Sequence, residues 1–148
     1  MASKYSAQWT KAFINVPSEK INPGEVSGSV KNEYASFTGA AELATTDTVF
    51  LAKLPAGARV LECKVRCPAT GATGIFDIGY QANGVDAADL DGFVVGADPG
   101  AAAVYAAGAG AALGKKFSAE TNVVLTPTEV TASFTGKTLE FWMLYTVV

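Results

Sequence analysis

Three aspartates in the run Asp86-Ala87-Ala88-Asp89-Leu90-Asp91-Gly92-Phe93 come nearest to forming a chemical site in this chain. Carboxylates spaced by two and three residues ahead of a glycine are a pattern that wraps a hard cation such as calcium in oxygen ligands. The spacing is not the D-x-D-x-D-G of an EF-hand loop, and the bidentate acid that should follow is missing. A single capped helical turn, with Asp86 as N-cap and Leu90 and Phe93 pointing inward, accounts for the same letters. No metal ligand is assigned on this pattern.

The thiols are the next candidates. Cys63 and Cys67 stand in VLECKVRC, where Leu61, Cys63, Val65 and Cys67 alternate with Glu62, Lys64 and Arg66, the period of a strand with one apolar face. A strand rises about 3.3 Å per residue, so the two Cα atoms are expected about 13 Å apart, beyond the roughly 7 Å that a disulfide spans. Two free, buried, inert thiols follow. The chain has no histidine, so a zinc site lacks soft ligands and no Ser/His/Asp or Cys/His nucleophile set can be assembled. The glycines of Gly71-Ala72-Thr73-Gly74 and Gly108-Ala109-Gly110 lack the frame of a phosphate-cradling loop. Fourteen acids leave paired-carboxylate chemistry formally open, yet nothing places two of them in one cleft. The expectation is a protein with no enzymatic activity, no cofactor and no metal.

These residues must be held by a small scaffold. A chain of 148 residues suits one core. Its hydrophobic fraction of 49% against 17% charged residues is an apolar surplus that predicts subunit interfaces. The net charge of −3 and the absence of any Lys/Arg cluster argue against a nucleic-acid partner. No apolar run reaches the roughly 18 residues of a membrane span, and MASKYSAQWTKAF has no signal-peptide core, so neither membrane insertion nor export by a leader is expected.

From residue 33 onward, short strand-like runs recur between turn residues, near 34–38, 41–44, 47–53, 59–67, 74–81, 120–126, 129–135 and 138–147. That spacing predicts an all-β, jelly-roll-like β-sandwich over 33–148 as a single domain. Thr46-Asp47 and Pro55-Ala56-Gly57 predict a hairpin-like reversal around the strand between them. In Ile75 to Tyr80, Phe76, Ile78 and Tyr80 share one face, and Gly79 on the other suggests a bulge or a close backbone approach. The Ala/Gly-rich stretch 97–114 reads as a flexible surface loop or as a closely packed segment at a symmetry axis. The last strand, LEFWMLYTVV, is apolar enough that both faces are expected to be covered, by the core or by another subunit.

Residues 1–32 differ. Pro17, Pro23, Gly24 and Gly28 interrupt them, and Tyr5, Trp9 and Phe13 recur every four positions, which reads as an extended N-terminal arm. The rings suit one face of a helix or alternate outward positions of a strand. They are expected to bury either on their own domain or on a neighbouring subunit, where an aromatic anchor finds a pocket.

The segment LPAGARVLECKVRCPATGATGIFDIGYQANGVDAADLDGF, about a quarter of the chain, resembles small structural proteins of tailed bacteriophages. The matching features are a strand ending in Leu54-Pro55-Ala56-Gly57-Ala58, the strand TGIFDIGY and the acidic turn ending in Gly92-Phe93. The resemblance implies a virion component of the decoration, or cement, type, or a head-fibre base. It assigns Leu54, Pro55, Gly57, Asp77, Gly79, Asp86 and Phe93 to maintaining the fold. It further implies a homo-oligomer, a trimer at local three-fold positions, bound to the major capsid protein on the capsid exterior after synthesis in the host cytoplasm. On that reading Tyr5, Trp9 and Phe13 make the capsid or subunit contacts. The competing expectation is a head-fibre or receptor/glycan-binding module, whose loop rings would be Phe93 and Tyr105.

Overall fold

The computed structural model describes residues 29–67, 71–108, 112–130 and 134–148. Eight strands are present: β1 (Lys31–Thr38), β2 (Val49–Leu54), β3 (Ala58–Cys67), β4 (Phe76–Tyr80), β5 (Asp89–Ala97), β6 (Ala103–Ala106), β7 (Thr121–Pro127) and β8 (Thr138–Val147). They form two four-stranded sheets ordered β1-β8-β3-β6 and β2-β7-β4-β5. Among the described residues there is no helix.

The pairing has a simple rule. β1 pairs with β8, β2 with β7, β3 with β6 and β4 with β5, all antiparallel, so the chain is one long hairpin with its tip between β4 and β5. The hairpin then rolls up, joining β3 to β8 and β4 to β7. This is the eight-stranded double Greek key of a jelly roll, and the expected fold class is thereby observed.

Alternating apolar residues build the core between the sheets. Leu139, Phe141, Met143 and Tyr145 of β8 and Val60, Cys63, Val65 and Cys67 of β3 face Phe76, Ile78 and Tyr80 of β4 and Val123 and Leu125 of β7, all buried. Burying each large side chain contributes about 1.5–3 kcal/mol. Phe37 and Phe134 stack at 5.9 Å between ring centroids and close one end.

Several expectations need correction. The connection Pro55-Ala56-Gly57 is no hairpin, because β2 and β3 lie in different sheets. It is a corner, with Gly57 at φ 85° and its amide donating to the Phe117 carbonyl at 2.8 Å. A side chain at Gly57 would meet the Val148 carbonyl at 2.7 Å. Run 41–44 is not a strand, and Leu43 there forms only an isolated bridge; the run expected over 129–135 lies partly outside the described residues, of which Glu129 sits in a bend and Thr135 bridges Gly39. Leu61 does not share the inner face with Cys63. A register shift between Val60 and Glu62 puts Val60 inward and leaves Leu61 45% exposed. The acidic run is not a helical turn either, since Asp89–Ala97 is β5, with Leu90 43% exposed and only Phe93 inside. The Ala/Gly stretch contributes β6, which pairs with Lys64–Cys67 at the sheet edge, and Ala112 is buried.

Candidate interaction surfaces

The acidic segment separates its carboxylates. Asn83 Oδ1 accepts from the amides of Val85 and Asp86 at 3.0 and 2.7 Å, which tightens the turn after β4. Asp86 Oδ2 then accepts from Asn83 Nδ2 at 3.0 Å and from the Ser118 amide at 3.2 Å, while Lys115 Nζ lies 3.5 Å from Oδ1. The Asn83 bond, with Ser118 and Lys115 behind it, holds the Asp86 carboxyl below its usual range despite some desolvation. Lys115 Nζ also donates to Tyr80 Oη at 2.8 Å, the main cause of its raised pKa. Tyr80 meets Phe117 edge-on at 4.8 Å and Phe93 at 5.9 Å. Asp86 and Lys115 therefore cap an aromatic cluster rather than opening toward a ligand.

Asp89 and Asp91 lie on β5 beside an open cleft of about 360 Å³ whose lining includes Gly92, Phe93, Val95 and Ala106. Desolvation, and then the Asp91 carboxyl, push the Asp89 carboxyl above its usual range. Among the described residues no three Asp, Glu, Cys or His side chains converge as metal ligands.

Gly79 explains why β5 runs here. A Cβ on Gly79 would lie 2.1 Å from the Asp89 carbonyl oxygen and 2.3 Å from the Leu90 carbonyl carbon, so the β5 backbone crosses directly over it. Register shifts flank the crossing between Phe76 and Ile78 and between Ile78 and Tyr80. The close approach expected at Gly79 is thus seen. β5 is not legible as a strand in the sequence because Asp91, Gly92 and Gly96 break its alternation; Gly79 is the signal that points to it.

Both cysteines are free and fully buried, and burial pushes each thiol up to about 12. The expected free, buried pair is observed.

The outer face of the β1-β8-β3-β6 sheet is a regular surface. Register places Tyr34, Trp142, Lys64 and Ala106 in one row, flanked by Asn32-Leu144-Glu62 on one side and Ser36-Glu140-Arg66-Val104 on the other. Tyr34 is 58% exposed and donates to Glu140 Oε1 at 3.1 Å. Lys64 pairs with Glu62 and Arg66 with Glu140, so the two cations that flank Trp142 are neutralised where they stand. The core covers the inward side of β8, while outward Trp142 and Leu144 are only half-buried within the chain. Tyr5, Trp9 and Phe13 lie outside the described residues. Phe93, one of the two loop rings a glycan site would use, is 3% exposed inside the core, and Tyr105 is half-buried on β6.

No protein-family model and no curated protein matches the sequence. Solved structures do match in fold. A chain of the Cyanophage Pam1 capsid asymmetric unit superposes with a TM-score of 0.64 at 19% identity, covering the whole of both chains. A chain from the capsid of Ralstonia phage GP4 gives a TM-score of 0.63 at 18% identity over 82% of this chain and 86% of its own. One from the acid-stable capsid of Helicobacter pylori bacteriophage KHP30 gives 0.50 at 14% identity over 80% and 94%. At such identities the shared property is the jelly-roll fold.

Proposed function

We propose that this chain is a phage virion protein of the decoration type, binding the outer capsid surface as a homo-oligomer and stabilising the shell. The observation that carries the reading is full-length fold similarity, in both directions, to a chain of a phage capsid asymmetric unit. The charge of −3 without a basic cluster suits a partner other than packaged nucleic acid, and the described chemistry offers structural uses for its acids rather than catalysis. A trimer at local three-fold positions would multiply modest contacts to the major capsid protein through avidity. In this reading the folded domain begins with β1 at Lys31, two residues earlier than the expected boundary at 33, and the residues ahead of it form the arm, whose Tyr5, Trp9 and Phe13 anchor on neighbouring subunits. The protein is made in the host cytoplasm and ends on the virion exterior. The head-fibre or glycan-binding alternative is weaker with Phe93 in the core.

Co-sedimentation with empty capsids of a matching phage, with mass measurement of the free protein, tests the proposal. Saturable binding at a fixed ratio to the major capsid protein is expected. A stable oligomer that ignores capsids would shift the assignment to a fibre or adhesion module.

A further inference from the structure

Trp142 stands near the centre of a sheet face that no described strand covers. Around it are Tyr34, Leu144 and the stems of Lys64 and Arg66, whose charges are already paired with Glu62 and Glu140. Paired heads with apolar stems make a surface suited to aromatic and aliphatic anchors rather than to a phosphate or a charged peptide. The N-terminal stretch outside the described residues ends at Gly28, three positions before the edge strand β1 that carries Tyr34. Those 28 residues hold Tyr5, Trp9 and Phe13. Extended at roughly 3.3 Å per residue they reach about 90 Å, several times the radius of gyration of about 13–14 Å expected for a domain of this size.

We propose that residues 1–28 of one copy dock on the outer face of the β1-β8-β3-β6 sheet of the next copy, with Trp142 as the central contact. Each copy then carries one arm and one receiving face, and head-to-tail exchange closes into a ring in which every face is covered. The apolar surplus of the composition acquires a partner in the same step. The inference rests on the self-association in the proposed function and deepens it by naming where the arm lands.

The buried native thiols give a clean background for cross-linking in the full-length chain. Ala7→Cys in one preparation and Ser36→Cys in another, mixed without capsids and gently oxidised, should give a disulfide-linked pair containing one of each. Adding Trp142→Ala to the Ser36→Cys chain should lower that yield about tenfold, as truncating a central aromatic anchor does. A yield no greater than with Lys53→Cys, on the other sheet, overturns the dock. A double variant that closes only within one chain overturns the exchange.

A second readout covers the case in which a cysteine variant fails to fold. With Trp9→Phe, Trp142 is the sole tryptophan. Its emission should be shielded from acrylamide, and further Tyr5→Ser and Phe13→Ser changes should raise the quenching constant at least about twofold, as expected when burial is lost. Unchanged quenching overturns the proposal. Because neither readout uses a capsid, failed co-sedimentation with intact cross-linking would sink the capsid assignment alone.

Discussion

In the β1-β8-β3-β6 sheet one of three ladders shifts, at Val60 and Glu62, while the β1–β8 ladder runs from Lys31–Tyr145 to Thr38–Thr138 without a shift, and the outer face shows a row of Tyr34, Trp142 and Lys64. In the β2-β7-β4-β5 sheet two of the three ladders shift register, and at Gly79 the backbone of β5 lies over the sheet. Regular pairing leaves a surface that another molecule can use, because the pleat alone decides which side chains point outward. Irregular pairing consumes its own surface. Val124, on the same row as Gly79 and Phe50, is fully buried without joining the main core. The first sheet is thus the one suited to contacts, while the second and its acidic loop are suited to holding the fold.

The largest effect should fall on the aromatic cluster beneath the acidic loop. Phe117 is fully buried and hydrogen-bonds through its backbone to Gly57 and Ala58, so Phe117→Ala should cost about 3–5 kcal/mol in denaturant unfolding. A cost near that of a surface change would mean the loop is not structural. Gly79→Ala should come next. The new methyl meets backbone at 2.1–2.6 Å, which cannot yield as a side chain would, and overpacking of this kind costs about 1–3 kcal/mol.

Asp89 provides a pH test. Its carboxyl titrates above the unfolded value, so the native state binds its proton more tightly and the linked stability is present at low pH and lost as pH rises through the raised pKa. Asp89→Asn should therefore be more stable than the parent at neutral pH, with the gain shrinking on acidification. Thermal midpoints that diverge toward acid pH would reverse the assignment. The smallest folding effect belongs to the exposed row. Tyr34→Ser should change monomer stability by about 0.5 kcal/mol or less while reducing self-association measured by sedimentation. A large stability loss with unchanged mass would erase the distinction between the two sheets.

Alternation made β3, β4 and β8 legible from the letters, since period-two burial of Cys63, Val65, Phe76, Ile78, Phe141 and Met143 follows directly from the pleat. Inertness of the thiols was equally readable, because their spacing along one strand forbids a disulfide and their face forbids solvent. The acidic run was ambiguous because a capped turn, a cation loop and a bulged strand share the same residues. Long-range partners resolved it, with Ser118 and Lys115 engaging Asp86 and with β5 crossing over Gly79. The corner at Gly57 and the outward Leu61 were hidden for the same reason. Which strands pair, and where a register slips, depend on neighbours as distant in sequence as Lys31 and Tyr145, whereas the identity of the apolar face is written locally.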